Sequence, residues 1–437
     1  MLIDASQIPS GAHVHLRSSE GEEGEEGGGK DQFLSVRSLH TAPGTGVCLR
    51  GNRDAWESFE WIVHKEVDGG GMVVSLRNAK GGCLSPSRGG GFTFRSWCSA
   101  WERFQVEVVT EEADWPRAAV TLRVMQPEAR RGEAVQVKGQ RGSPRWIVHF
   151  AEAPRLNLAP LLTLSGSARF AYTYEDLPTD ARSLVDLLVW AHKDTGFFLA
   201  YGHGVDVGVL EALKAETAKE PESRLPISYT GGDDSKHKTN TGLVEERRHK
   251  RKSSPHLERG VRPLELKERV QTYMTEVTRL AEDLLLLFAF GEARGKGGRE
   301  GKSSESKSSI ESVKWVQDFM GPSRVLGLRF LVYPPGPMED EEGRKVVTTH
   351  RHTDATFITL LVEDQVGGLQ AKARGDRWYE VRSASGDIIV NTGNVLEERS
   401  EGFYPAVCHR VIRQNEDRTR VSMPFFYDFA GSKTKGC

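Results

Sequence analysis

Three tryptophans stand 45 residues apart, at Trp56, Trp101 and Trp146, and each opens a strand-like run: "WESFEW", "WERFQVEVV" and "WIVHF". Ahead of each lies a run with a shared Val-x-Leu-Arg core, "HVHLR" at 13–17, "VVSLR" at 73–77 and "AVTLR" at 119–123. Apolar and polar residues alternate in these runs as they do in half-buried strands. A fixed spacing of this length marks a repeated supersecondary unit, which has to be recognised before any other element is assigned.

Between its opener and its closer the second copy reads as four short strands, "MVVSLRN", "GCLSP", "GFTFRSW" and "WERFQVEVV", with Gly, Pro, Ser and Asn at the joints. Three copies of about four strands predict an all-β domain over residues 1–150, a β-trefoil. "VSLRNAKGGCLS" followed by "WERFQVE" resembles the fascin-like β-trefoil family. The first copy carries an acidic insertion, "SEGEEGEEGGGK", which reads as a solvated loop. The third copy is short and lacks a clear middle strand. The tryptophans are expected in the core, because large aromatics dominate core energetics. A trefoil does not by itself name a ligand. A carbohydrate, a cytoskeletal element or another protein is the candidate partner of this domain.

After "AEAPRLN" at 151–157, where the domain break is expected, the pattern changes. Leu184, Leu187, Leu188 and Ala191 recur at helical spacing, and an aromatic strand, "GFFLAYGHGV", follows. "VGVLEALKAETAKE" is a second amphipathic helix. "LELKERVQTYMTEVTRLAEDLLLLFAF" is a long one, with Leu266, Val270, Tyr273, Val277, Leu280, Leu284 and Leu287 as its apolar stripe. Residues 230–256 and 291–309 are polar and Gly/Ser-rich, and they offer too little apolar surface to offset their ordering entropy. The basic tract "EERRHKRKSSPH" reads as a solvated loop before it reads as a nuclear address or an anion site. From Val325 the chain is rich in short strands parted by Gly, Pro and Asp. Helices followed by seven or so strands predict an α+β domain over 155–437. Its helical part is 155–290, and its core at 325–430 is a double-sheet jelly roll, a double-stranded β-helix. Residues 154–437 are expected to fold alone.

Composition excludes more than it assigns. Lys plus Arg total 59 against 61 acidic residues, a net charge of −2, so no global field favours nucleic acid or an anionic membrane. The five cysteines, Cys48, Cys83, Cys98, Cys408 and Cys437, form no CxxC pair, and a reduced, intracellular chain is expected. No signal-like segment or apolar run of eighteen residues is present, which makes a soluble cytoplasmic protein the default expectation.

The chemistry gathers in "TTHRHTDATFITLL", which starts at Thr348. On a strand, His350, His352 and Asp354 would share one face. Two histidines and one carboxylate that leave coordination positions open are the ligand set of non-haem Fe(II) oxygenases. His352 and Asp354 supply two of the three, and His409 in "AVCHRVIR", 55 residues after Asp354, is the candidate third.

The stretch from "HTDATF" to "RVSMPFF", with "GFFLAYGHGV" upstream, resembles the 2-oxoglutarate- and Fe(II)-dependent dioxygenases of the isopenicillin N synthase-like superfamily. The resemblance covers most of 155–430. It implies that His352, Asp354 and His409 bind Fe(II), and that Arg420 and Ser422 hold the far carboxylate of 2-oxoglutarate while Tyr333 adds a hydroxyl. It also implies O2 as the second cosubstrate, ascorbate as a further candidate, and a small organic substrate that is hydroxylated or otherwise oxidised as 2-oxoglutarate is decarboxylated to succinate. His350 does not occupy a ligand position in that pattern. Leu331 and Asn394 depart from it, at sites where the family usually has asparagine and aspartate, and a carboxylate at Asp354 speaks against the halogenating branch. Two alternatives stand beside this reading. One is an oxidase of the same fold that uses no 2-oxoglutarate, and the other is a trefoil-led binding protein with an inactive oxygenase domain.

Overall fold

A computed structural model describes residues 8–18, 33–36, 47–50, 58–64, 72–78, 81–86, 92–95, 102–108, 119–125, 131, 134–135, 146–164, 172–218, 263–297, 313, 315–317, 319–320, 324–372 and 377–429. Trp56, Trp101, the acidic insertion at 19–30 and the polar segment at 230–256 lie outside them. The chain divides into two compact units. The first takes in residues 1–156, and with them Asp186–Thr195 and Lys372–Tyr379, which the sequence pattern assigned to the second domain.

Ten strands of the first unit are described: β1 (Ala12–Ser18), β2 (Phe33–Val36), β3 (Val47–Arg50), β4 (Ser58–His64), β5 (Val73–Asn78), β6 (Cys83–Pro86), β7 (Phe92–Arg95), β8 (Phe104–Val108), β9 (Ala119–Val124) and β10 (Trp146–Phe150). Six of them close a ring of antiparallel pairs, β1–β4–β5–β8–β9–β10 and back to β1. The ring is built from the three openers and the three closers of the repeat, taken in turn. β2–β3 and β6–β7 pair as hairpins beside it. In the third copy the described middle residues give only an isolated bridge, Arg123 to Ala134. Period-2 alternation aims Val14, Leu16, Trp61, Val74, Leu76, Phe104, Val120, Leu122, Trp146 and Val148 inward, all fully buried. Closure of the sheet removes its edges and gives these side chains one shared core. Cys83 is disulfide-bonded rather than a free thiol. The expectation of a wholly reduced chain therefore fails at this position, because spacing along a chain does not report which β-carbons fold to within disulfide reach.

Part of the helical region belongs to this same unit. Helix α1 (Ala159–Leu162) lies in the second unit, and of α2 (Thr179–Asp194) only the residues from Asp186 on belong to the first. Near the end of α2, Asp194 accepts hydrogen bonds from the Phe150 backbone N–H (2.8 Å) and Trp190 Nε1 (2.8 Å) on one oxygen, and from His149 Nδ1 (3.0 Å) on the other. Arg17 Nε donates to His149 Nε2 at 3.3 Å. The Phe150 and Trp190 rings lie 4.6 Å apart. Tyr379 donates its hydroxyl proton to the Thr195 carbonyl (3.1 Å), and the Arg377 guanidinium donates to the Ala151 carbonyl.

The rest of the chain carries β11 (Arg155–Asn157), β12 (Phe197–Tyr201), α3 (Val207–Ala218), α4 (Pro263–Gly297), β13 (Arg324–Leu328), β14 (Leu331–Tyr333), β15 (Val347–His352), β16 (Ile358–Glu363), β17 (Leu369–Lys372), β18 (Trp378–Glu380), β19 (Ile388–Thr392), α5 (Asn394–Arg399), β20 (His409–Ile412) and β21 (Arg420–Phe429). A seven-stranded sheet runs β11-β12-β19-β16-β21-β13, with β14 also paired to β21, and a four-stranded sheet runs β15-β20-β17-β18. The result is a jelly-roll-like double sheet preceded by helices. "HTDATFITLLVED" is divided between the sheets: His352 ends β15 in the smaller, and Ile358 begins β16 in the larger. Helix α4 packs on α3, β16 and β21, with Tyr273, Val277, Leu280, Leu284 and Leu287 buried as the stripe requires. It continues to Gly297, so "GEARGKG" is helical rather than loop, because an established helix propagates cheaply through Ala, Arg and Lys; residues 298–309 lie outside the described ones. No described helix is long and apolar enough to cross a membrane.

Candidate metal centre

β15 and β20 pair antiparallel with His352 opposite His409, which brings the two rings to 4.3 Å between centroids. Asp354 follows two residues past the end of β15. Ligand atoms of His352, Asp354 and His409 all lie within 4.8 Å of one another, the one such His/Cys/Asp/Glu group of three among the described residues. His350 is exposed and outside that group. The strict alternation that would have put it on the same face does not hold here, because the register shifts between Thr349 and His352.

Hydrogen bonds decide which atom each ligand offers. A backbone carbonyl can only accept, so His352 Nδ1 donates to the His350 carbonyl (2.8 Å) and His409 Nδ1 donates to that of Val407 (3.0 Å). Each Nε2 is thereby left with a lone pair, 3.7 Å from Asp354 Oδ1. Burial pushes the His409 imidazole below its ordinary pKa of 6.5, against the opposing pull of Asp354, and so favours the neutral form that a cation needs. Phe197 stands edge-on to the His409 ring at 5.6 Å and limits its rotation.

Asp354 is held from the other sheet. Its Oδ2 accepts from Thr359 Oγ1 (2.6 Å) and Asn391 Nδ2 (2.9 Å), residues that face each other across β16 and β19, which leaves Oδ1 turned to the imidazoles. Two imidazole nitrogens and one carboxylate oxygen, each oriented by a partner on its far side, fit a divalent cation such as Fe(II) with positions open for other ligands. The backbone of Asn394 takes part as well, donating its N–H to the Asp354 carbonyl at 2.7 Å. Gly393, just before it, is a close approach: a β-carbon there would run into the carbonyl oxygens of Thr356 and Asp354. Gly393→Ala is expected to cost about 1–3 kcal/mol and to lower the melting temperature and the Mn(II) affinity together. An unshifted melting curve would remove this turn as the brace of Asp354.

At Arg420, where a carboxylate clamp is expected, the structure shows three hydrogen bonds already made within the chain. Arg420 and Ser422 do share a face, with Nη1 donating to Ser422 Oγ at 3.2 Å. Arg420 Nε donates to the Gly367 carbonyl (2.8 Å), on a turn where Gly368, at φ +91°, leaves no room for a β-carbon against the Ile412 carbonyl. Its Nη2 makes a buried ion pair with Glu363 Oε2 at 2.9 Å. Tyr333 sits opposite Arg420 across β14 and β21. It offers the guanidinium its ring, 5.1 Å from Cζ, and its hydroxyl pairs with Thr349 Oγ1 at 3.1 Å. Thr359, Asn391, Gly393, Phe197 and Glu363 were not singled out from sequence, because only the register of the sheets brings them to these positions.

Residues 322–429 match the family model of the 2OG-Fe(II) oxygenase superfamily. A feruloyl CoA ortho-hydroxylase of Ipomoea batatas is 27% identical over 261 residues, which is 55% of this chain and 65% of that protein. The chain thus spans somewhat less than two thirds of the length of such relatives. A gibberellin 3-beta-dioxygenase of Pisum sativum is 40% identical over 118 residues, 27% of this chain and 30% of that one. A solved 2-oxoglutarate complex of an Arabidopsis thaliana dioxygenase for auxin oxidation aligns at a TM-score of 0.43 and 19% identity, over 65% of this chain and 95% of that one.

Proposed function

We propose that this chain, which carries a 2OG-Fe(II) oxygenase domain over residues 322–429, is an Fe(II)- and 2-oxoglutarate-dependent dioxygenase acting on a small organic substrate. The observation that carries the reading is the set of three donor atoms, Nε2 of His352, Nε2 of His409 and Oδ1 of Asp354, each made available by a hydrogen bond on the opposite side of its own group. Those residues would hold the iron, which when bound supplies O2-dependent oxidation coupled to decarboxylation of 2-oxoglutarate. The chain's own task is to keep the buried His409 imidazole neutral, to hold one carboxylate oxygen in place, and to offer a cationic group to the distal carboxylate of the cosubstrate through Arg420 and Ser422. The relatives oxidise a feruloyl thioester or a gibberellin by their names; for this chain an organic small molecule is the class proposed, without a choice between hydroxylation, desaturation and ring closure.

One observation keeps a second reading in view. Arg420 already has a carboxylate partner in Glu363, which also suits an oxidase that needs no 2-oxoglutarate. Reconstitution with Fe(II) under nitrogen, followed by O2 with or without 2-oxoglutarate, separates the two. Succinate formation is the expected result. Oxygen uptake that is independent of 2-oxoglutarate would favour the oxidase, and no uptake in either case would favour an inactive domain. For the N-terminal barrel we infer a fascin-like β-trefoil, supported by a six-strand ring in which openers and closers of the repeat alternate. A carbohydrate, cytoskeletal or protein partner is proposed for it.

A further inference from the structure

Glu363 is the last residue of β16 and lies in register with Ser422 on β21. Its side chain is 1% exposed and that of Arg420 is 6% exposed. Both carboxylate oxygens are engaged, Oε2 by Arg420 and Oε1 by the Ser383 hydroxyl at 3.0 Å. An arginine has five N–H donors. Three are used here, on Gly367, Ser422 and Glu363, which leaves one on each terminal nitrogen. One N–H on each terminal nitrogen thus remains to donate to a second carboxylate, but the charge of the guanidinium is already balanced.

We propose that Glu363 is a resident counter-ion that competes with the distal carboxylate of the cosubstrate for Arg420, and so sets how tightly 2-oxoglutarate is held. This rests on the reading of the site given above. Without ligand, Glu363 compensates a buried cation that would otherwise be costly to bury. With ligand, two carboxylates share one guanidinium, and their mutual repulsion weakens binding. Removing the negative charge while keeping an acceptor for Nη2 should therefore move two quantities in opposite directions. The empty protein becomes less stable, because Arg420 is left uncompensated. The affinity for 2-oxoglutarate rises, because the ligand now supplies the missing anion. A purely structural Glu363 would lower both together.

The test is Glu363→Gln in the full chain loaded with Mn(II), titrated calorimetrically with 2-oxoglutarate and, separately, with pyruvate, a 2-oxo acid without the distal carboxylate. The expected result is a lower melting temperature without ligand, about tenfold tighter binding of 2-oxoglutarate, and unchanged binding of pyruvate. Equal or weaker 2-oxoglutarate binding by E363Q, with the wild type still binding it, would overturn the role of Glu363 and leave the cosubstrate reading standing. A gain of the same size for pyruvate would also overturn it, since that gain could not come from the clamp. Absence of 2-oxoglutarate binding in the wild type would overturn both. If E363Q is too unstable to titrate, 2-oxoglutarate but not pyruvate should restore soluble protein when present from lysis onward, and failure of that rescue counts against the proposal.

Discussion

Alanine at His352, Asp354 or His409 is expected to abolish Fe(II) binding and turnover, whereas His350→Ala should keep both within a few-fold of wild type. The three residues converge on one point, and none has a neighbour among the described residues able to take its place in that group. A two-ligand remnant of such a site binds orders of magnitude more weakly, because each ligand contributes both a bond and part of the preorganisation. His350 contributes its carbonyl, which survives the substitution and still accepts the Nδ1 proton of His352. Metal content after dialysis and the Mn(II) dissociation constant measure this directly, without reference to a substrate. An H350A protein as metal-free as H352A would mean that the ligand set is wrongly drawn.

A fragment of residues 154–437 is expected to be insoluble or molten, contrary to what the domain pattern of the sequence suggests. The cut removes His149 and the Phe150 N–H from Asp194, and takes away the Ala151 carbonyl that accepts from Arg377. It also strips the ring of Phe150 from Trp190, which is fully buried in the intact chain. Three hydrogen bonds to charged groups are lost, two on Asp194 and one from Arg377, each worth about 1.5–3 kcal/mol. Re-exposing a large aromatic adds roughly 2–3 kcal/mol. Together these approach the whole stability of an ordinary domain, roughly 5–15 kcal/mol. Near-UV circular dichroism and a melting curve of the fragment beside the full chain check this. A cooperative transition within a few degrees of the full-length protein would restore the view that the break at 151–157 separates two self-sufficient domains.

The difference between the sequence pattern and the compact units at this break is a matter of range. The composition shift near 151–157 is local, and so is the helical period of 181–191. Two of the partners of Asp194 are not: His149 lies 45 residues before it and Phe150 44. A helix assigned to one domain by its neighbours in sequence can complete another by its neighbours in space, and nothing in its own period announces this.

Much of the site was nevertheless legible. Period-2 alternation in the six openers and closers reports the repulsion of apolar side chains by water on one face of a strand, so both the strands and their threefold order follow from the residues themselves. His352 and Asp354 are close in sequence and stay close in any conformation, and Arg420 and Ser422 share a face on any strand. Tertiary structure alone decided the rest. Thr359 meets Asn391, and Glu363 meets Ser422 and Arg420, only because β16 pairs with β19 and β21 in one register; a slip by one residue would turn each of them to the opposite face. Register is a sum over many weak, distant contacts. The sequence by itself determined which residue types were available to hold a cation and a carboxylate, and the packing of the sheets determined which oxygen of Asp354 is free and which anion Arg420 already holds.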